Sequence, residues 1–172
     1  MSPVAHSAIG FLGWQKSASQ RDLKSLAIFV LVSNLPDIDF LLFQMLAKTG
    51  ENLHQFYTHN LMFTLLVPLC FFPFLRHARE RLALVLVSGS HLLLDIIMVD
   101  PVAPIGFPVF LPFWERSFNL GIFPNLLRND VGAVFSLHNA AVIGLEVLIV
   151  VVPVLILCRR DIFRIGENQG AG

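Results

Sequence analysis

Four long apolar runs restrict the folds that this chain can adopt. They cover residues 25–47, 58–75, 82–99 and 136–158, close to the roughly 20 residues that an α-helix needs to cross a bilayer. The chain is 55% hydrophobic and only 14% charged, whereas a typical soluble domain carries about 25% charged residues. We therefore predict an all-α fold: an integral membrane helical bundle with about four spans, forming a single embedded domain over residues 1–172.

Two further segments complete the predicted bundle. Residues 3–14 should form a short helix that cannot cross the membrane straight; it either lies flat on the inner surface or descends from the outer side with His6 near its top. Residues 100–135 are too rich in proline, glycine and phenylalanine for a continuous helix, and indicate a re-entrant or interfacial loop. The second span is expected to open at Thr58, a favourable N-cap, and residues 165–172 to form a flexible tail.

The distribution of basic residues predicts the orientation. Nine of them flank the first span, the short connection after the second, and the end of the fourth: Lys16, Arg21, Lys24, Arg76, Arg79, Arg81, Arg159, Arg160 and Arg164. The other connections carry three: Lys48, Arg116 and Arg128. The positive-inside rule places the first group in the cytoplasm, so loops 46–58 and 100–135 face outward. With zero net charge and no basic stripe interleaved with aromatics, a nucleic-acid partner is not expected.

Acids and imidazoles interrupt three of the apolar runs. A charge at the centre of a spanning helix costs about 2.5–3.5 kcal/mol on insertion scales, so such residues point to a functional site. The predicted topology brings all of them toward the outer face from segments remote in sequence: Asp37, Asp39, His54, His59, His91 and Asp95. This convergence is the strongest functional signal in the sequence.

The spacing of these residues suits a metal ion. His91 and Asp95 are four residues apart, so they share one face of a helix. Pro36 disfavours helix at the preceding residue, and the two aspartates that follow can point the same way in a turn. Histidine with carboxylate, without cysteine, favours Zn²⁺, with Mn²⁺ or Fe²⁺ as alternatives, as one or two ions.

The fourth run adds two polar residues of less certain purpose. His138 is expected mainly to hydrogen-bond a neighbouring carbonyl group. Glu146 could pair with a histidine, line a polar pocket or join a second metal. We keep both as possible accessory residues of the site.

Five segments in order resemble a known family. AHSAIG, LPDID, HQFYTHN, HLLLD and PIGFPVFLP are similar, over residues 3–115, to the YdjM-type family of predicted membrane-bound metal-dependent hydrolases. Gln55 and Asn60 stand where that family usually has Arg and Ser. The family is in turn similar to the all-helical zinc-dependent phospholipases C and single-strand zinc nucleases. The resemblance implies an enzyme of a bacterial or archaeal cytoplasmic membrane, and it adds His6 to the site.

The residues and the resemblance together lead to one main hypothesis. The chain would be a metal-dependent hydrolase of a lipid or lipid-linked (phospho)ester at the outer membrane–water interface, and phosphorus rests on the resemblance alone. The expected metal ligands are His6, Asp39, His59, His91 and Asp95. Asp37 and His54 are the expected acid–base groups, although the division of roles between the two aspartates stays open. The alternative is a non-enzymatic protein that handles metal ions or protons.

Overall fold

The computed structural model describes residues 1–39, 55, 57–99, 105–127 and 135–159. Within these ranges the chain forms five helices and no strand, which confirms the all-α class. The helices are α1 (Pro3–Ser17), α2 (Leu23–Asn34), α3 (Leu61–Leu66), α4 (Ala78–Ile96) and α5 (Leu137–Arg159). Short 3₁₀ turns extend α2 over Leu35–Asp37 and α3 over Val67–Phe74, and α5 contains a π turn at Val147–Val151. The predicted tail, 165–172, lies outside the described residues.

α1 and α2 form an antiparallel pair. Asn34 at the end of α2 donates to the Ser7 hydroxyl near the start of α1, at 3.0 Å, and the Trp14 indole near the end of α1 donates to Ser25 at 2.9 Å. Between these contacts Gly10 lets the backbones approach closely, because a Cβ there would lie 2.8 Å from the carbonyl oxygen of Phe29. α1 is thus packed into the bundle.

An apolar core fills the space between α1, α2 and α4. Its buried side chains are Trp14, Ile28, Phe29, Val32, Leu75, Leu84 and Val87. This core lies between the two ends of the bundle.

Polar contacts join α1, α4 and α5 at one end of the bundle, which we call the basic end. The Lys16 ammonium donates to the Leu157 carbonyl at 2.8 Å, and the Arg79 guanidinium donates to the Lys16 carbonyl. Glu80 accepts hydrogen bonds from the Ser19 N–H and hydroxyl at 2.7 and 2.6 Å. Burial would raise the pKa of Glu80, but the hydrogen bonds from Ser19 and from the N–H groups of two neighbouring residues outweigh it and lower the pKa to about 2.

The described helices do not support four spans. Only α5 is both long and apolar enough to cross a membrane; its 23 residues would extend about 34 Å, against a hydrocarbon core of about 30 Å. α2 has 12 residues before the chain tightens at Pro36, and the apolar helix from Leu61 to Phe74 changes from α to 3₁₀ at its two prolines. The expectation of four long spans overlooked how strongly these prolines interrupt two of the runs. α4 is long enough, with 19 residues, but it includes the charged residues Arg79, Glu80, Arg81 and Asp95.

A non-helical loop covers the other end of the bundle, which we call the site end. Its described part, residues 105–127, is tied to the end of α4 by two backbone hydrogen bonds of 2.7 Å, from Leu120 to Ile96 and from Val99 to Phe123. The Leu61 N–H at the start of α3 donates to Val109 at 2.8 Å. The predicted proline-rich loop is therefore a lid-like cover over the helix ends.

Candidate metal centre

α4 supplies two side chains of the site. His91 and Asp95 lie one turn apart on its last part, and both are buried, at 0% and 4% exposure. The Nε2 atom of His91 is 3.3 Å from Oδ2 of Asp95. The predicted common face is confirmed, because the i,i+4 spacing of an α-helix depends only on local geometry.

Asp37 reaches the same place from the 3₁₀ turn after α2. Its Oδ1 atom lies 3.5 Å from His59 Nε2 and 3.7 Å from His91 Nε2. Its side chain is 17% exposed, whereas the side chains of both histidines are fully buried. Asp37 is therefore the side of the site that is open to solvent or to a ligand.

His59 arrives from the segment that precedes α3. The N-cap of α3 is Asn60, whose side chain accepts from the Phe63 N–H at 2.8 Å, so the expected N-cap at Thr58 is wrong. Thr58 instead donates its hydroxyl proton toward Pro36 or Asp39, with both oxygens at 2.6 Å. This contact links the α3 segment to the turn after α2 and places His59 beside Asp37.

The four side chains form a compact group that could hold a metal ion: Asp37, His59, His91 and Asp95, with one ligand atom from each lying within 4.8 Å of all the others. His59 Nε2 is 3.2 Å from both His91 Nε2 and Asp95 Oδ2. Around a tetrahedral Zn²⁺ with bonds of about 2.0–2.1 Å, neighbouring ligand atoms are about 3.3 Å apart. The separations of five pairs of these ligand atoms, 3.2–3.7 Å, are close to that value.

The Nδ1 atoms of His59 and His91 both have hydrogen-bond partners. These contacts orient the rings so that their Nε2 atoms face the centre of the group. His91 Nδ1 lies 2.9 Å from the Ser33 carbonyl, which can only accept, so Nδ1 carries the proton. His59 Nδ1 lies 3.2 Å from the Thr58 hydroxyl, whose own proton goes to another acceptor. In the neutral rings both Nε2 atoms therefore present a lone pair, as metal ligands must.

Asp39 lies outside the four-residue group. Its Oδ2 accepts from the Thr58 hydroxyl at 2.6 Å and from the Gln55 N–H at 2.9 Å, and it is 3.8 Å from His59 Nδ1. Gln55 adopts a positive φ of 74°, uncommon for a residue with a side chain, at the point where its N–H meets this carboxylate. Asp39 is thus placed to orient His59, in the manner of carboxylates behind metal-binding histidines.

His6 lies against the group from the first turns of α1. Its ring stacks on His91 with centroids 3.7 Å apart, and it is 1% exposed. Its Nε2 atom is 3.3 Å from Asp95 Oδ1, but among the described residues it has no hydrogen-bond partner of suitable geometry. Since the Met1 ammonium also contacts Oδ1, the Asp95 carboxylate faces the four-residue group with one oxygen and α1 with the other.

The remaining predicted site residues lie elsewhere. His138 is exposed and its Nε2 lies 3.0 Å from the Asn125 carbonyl, in agreement with the hydrogen bond to a carbonyl group that was expected for it. Glu146 is 1% exposed, and it accepts hydrogen bonds from Ser2 and is not a member of the four-residue group. His54 lies outside the described residues, so its predicted acid–base role stays a prediction.

Several residues around the site carried no signal in the sequence. Phe107, 1% exposed, places its ring edge-on to His59 with centroids 5.5 Å apart, and it closes the site from the covering loop. The Ser33 carbonyl and the Ser2 N–H are backbone groups, and backbone contacts have no residue-type signature.

The comparisons with known proteins give a family. The sequence model described as YdjM inner membrane protein matches residues 1–162, almost the whole chain. No curated protein and no solved structure matches it significantly. The more distant similarity to phospholipases C and zinc nucleases is therefore without support. With a family match of this length and a helix able to cross a bilayer, the chain belongs to the YdjM inner membrane protein family.

Proposed function

We propose that this protein binds a divalent metal ion at the four-residue group and hydrolyses a lipid or lipid-linked ester or phosphoester there. The observation that carries the proposal is the separation of the ligand atoms, which is 3.2–3.7 Å for five pairs within this group. Two buried imidazoles whose Nε2 atoms face each other at 3.2 Å need a shared cation or proton between them.

Each residue of the site has a distinct role in the proposed reaction. Asp37, His59, His91 and Asp95 would hold the ion, and Asp39 would keep His59 in the ligating orientation. A bound divalent ion would activate water and polarise the bond to be cleaved only at a further coordination position, or at the one that Asp37 would vacate on the open side. Asp37 borders the open side, so a substrate would approach past its carboxylate, which can also take up a proton there. His59 and His91 are too enclosed to exchange protons directly with solvent.

A lipid substrate is supported by the surroundings of the site. The covering loop, which contacts His59 through Phe107, exposes Phe113 at 91% and Trp114 at 51%. Large aromatic side chains of this kind are enriched at the headgroup level of membranes. An acyl or phosphate ester bond at that depth would lie near the loop that contacts His59.

The rest of the bundle supports an embedded position. Large apolar side chains are exposed on helices other than α5, for example Leu31 at 49%, Leu65 at 49% and Leu86 at 63%. Exposed large apolar side chains on several helices suit lipid better than water. We therefore propose that the whole bundle, and not α5 alone, lies within the membrane.

The same arrangement supports an outward-facing site. The contacts of Lys16 and Arg79 lie at the basic end, whereas the metal group lies at the site end, beyond the apolar core. If basic residues remain in the cytoplasm, the positive-inside rule places the site toward the outer face.

A non-enzymatic metal store or sensor is the second candidate. It is favoured by the burial of three members of the group, since only the Asp37 side chain is notably exposed. A carrier would also need a polar path toward the basic end, and the core cluster there consists of apolar side chains. This makes transport the weaker form of the alternative.

Metal content and hydrolysis together test the proposal. Purified protein should carry Zn²⁺ at about one ion per chain or more, the double variant His91→Ala/Asp95→Ala should carry none, and the exposed-histidine control His138→Ala should match the parent. The metal-loaded parent should then cleave phospholipids or fatty-acyl esters in mixed micelles, and the double variant should not. Absence of metal from the parent would refute the site, and bound metal without any hydrolysis would favour the storage or sensing role.

A further inference from the structure

Buried carboxylates hold α1 at both of its ends, in the same way. At the site end, Glu146 of α5 accepts the Ser2 N–H at 3.0 Å (Oε1) and 3.1 Å (Oε2), and it also accepts the Ser2 hydroxyl. At the basic end, Glu80 of α4 accepts the Ser19 N–H and hydroxyl at 2.7 and 2.6 Å. The two glutamates are 1% and 5% exposed.

The contact at Ser2 supplies what the sequence of α1 lacks. α1 has no acidic residue in its first turn, and its N-cap Ser2 makes no side-chain capping bond within its own helix. A negative charge at a helix N-terminus is favourable, because the first N–H groups have no partners inside the helix. Glu146, 144 residues away in sequence, provides that charge from the helix that can cross the membrane.

Only the Ser2 end of α1 touches the metal group. His6 follows Ser2 by about one helical turn, stacks on His91 at 3.7 Å and directs its buried Nε2 to within 3.3 Å of Asp95. That nitrogen has no hydrogen-bond partner among the described residues. A shift or fraying of the first turn would move His6 directly, whereas Ser19 lies just beyond the other end of α1, which stops at Ser17, on the far side of the apolar core.

We propose that Glu146 is a positioning residue, which grips the first turn of α1 from α5 and thereby sets His6 against Asp95 and the metal group. This inference rests on the proposed metal site and assigns Glu146 a role other than ligand. Through Glu146, α5 would help to position the site although it supplies no metal ligand.

The contacts of Glu146 with Ser2 and of Glu80 with Ser19 allow a matched test, because only the first is near the metal group. We would measure the Zn²⁺ dissociation constant by chelator competition, and the visible absorption of the Co²⁺-loaded protein, for Glu146→Gln, Glu146→Ala, Glu80→Gln and Glu80→Ala. Loss of an outer-shell partner typically weakens metal affinity 10–100-fold. Glu146 acts one contact further from the ligands, so Glu146→Ala should fall near the lower limit of that range, about 10-fold, with an altered Co²⁺ spectrum, and Glu146→Gln, which keeps one acceptor, should be milder. The Glu80 variants should lower thermal stability but leave affinity and spectrum unchanged.

A double-mutant cycle shows whether Glu146 acts through His6. If it does, Glu146→Gln should have little further effect on Zn²⁺ affinity in a His6→Ala background, because coupled residues are not additive. Ser2→Ala, which removes only the hydroxyl donor, provides a second variant should the glutamate variants fold poorly, and it should shift affinity in the same direction. Equal effects of the Glu146 and Glu80 variants, or full additivity with His6→Ala, would overturn the inference. If the parent binds no Zn²⁺, the proposed function fails and this inference fails with it.

Discussion

Asp37 and Asp39 are two residues apart, and the structure gives them different surroundings. Asp37 Oδ1 faces the Nε2 atoms of His59 and His91, at 3.5 and 3.7 Å. Asp39 Oδ2 instead accepts from Thr58 and Gln55 behind the His59 ring. We therefore expect Asp37→Asn to remove a metal ligand and Asp39→Asn only to weaken the orientation of one.

The structure sets the size of both effects. The Gln55 and Thr58 donors both bond to Oδ2 of Asp39, so the amide oxygen of Asp39→Asn can still accept from them while the negative charge is lost. Metal affinity should then fall about 10-fold, near the lower limit for outer-shell partners, and Asp39→Ala should approach about 100-fold. These changes correspond to about 1.4 and 2.8 kcal/mol of binding free energy. Asp37→Asn should exceed both, because a neutral amide replaces an anionic ligand.

Zn²⁺ titration of detergent-solubilised protein against a chromogenic chelator measures these affinities. Asp22→Asn is the matched acid-to-amide control: Asp22 is the N-cap of α2, accepts the Ser25 N–H at 2.6 Å, and Asn caps equally well. The reverse result would refute our reasoning, namely loss of metal in Asp39→Asn with near-normal affinity in Asp37→Asn. That result would support the roles expected from the sequence, with Asp39 as a metal ligand and Asp37 as an acid–base group.

Two further predictions concern packing and membrane contact. Gly10→Ala should lower the free energy of unfolding by about 1–3 kcal/mol, since its Cβ would lie 2.7 Å from Ser33 Oγ, whereas Gly144→Ala, with nothing within 4 Å, should be neutral or stabilising in thermal unfolding. In vesicles, Trp114 fluorescence in a Trp14→Phe background should be quenched by shallow brominated lipids; quenching only by aqueous iodide would place the covering loop in water.

Local features of the site could be predicted from the sequence because they depend on backbone geometry alone. The shared face of His91 and Asp95 follows from four-residue spacing on a helix, and the turn at Asp37 follows from Pro36. The apolar runs likewise indicated an all-helical membrane protein. Their lengths misled, however, because a run containing Pro68 and Pro73 has the composition of a span without its continuous helix.

The roles of individual polar residues required the tertiary structure. Which aspartate faces the histidines depends on how the turn after α2 meets the segment before α3, and their spacing of two residues fits either choice. Thr58 was expected to begin a helix but links these two segments. Both outcomes are decided by contacts between segments that local periodicity does not describe.

Glu146 shows most clearly which features depend on sequence alone and which depend on tertiary structure. By itself the sequence determined that an acid lies deep in the most apolar helix, and that such a residue needs a partner because an unpaired charge there is costly. Only the tertiary structure decided that the partner is Ser2, at the start of α1. The first N–H groups of any helix lack partners within the helix, whatever its sequence. The contact with Ser2 is therefore decided by the packing of α5 against α1, and no residue pattern predicts it.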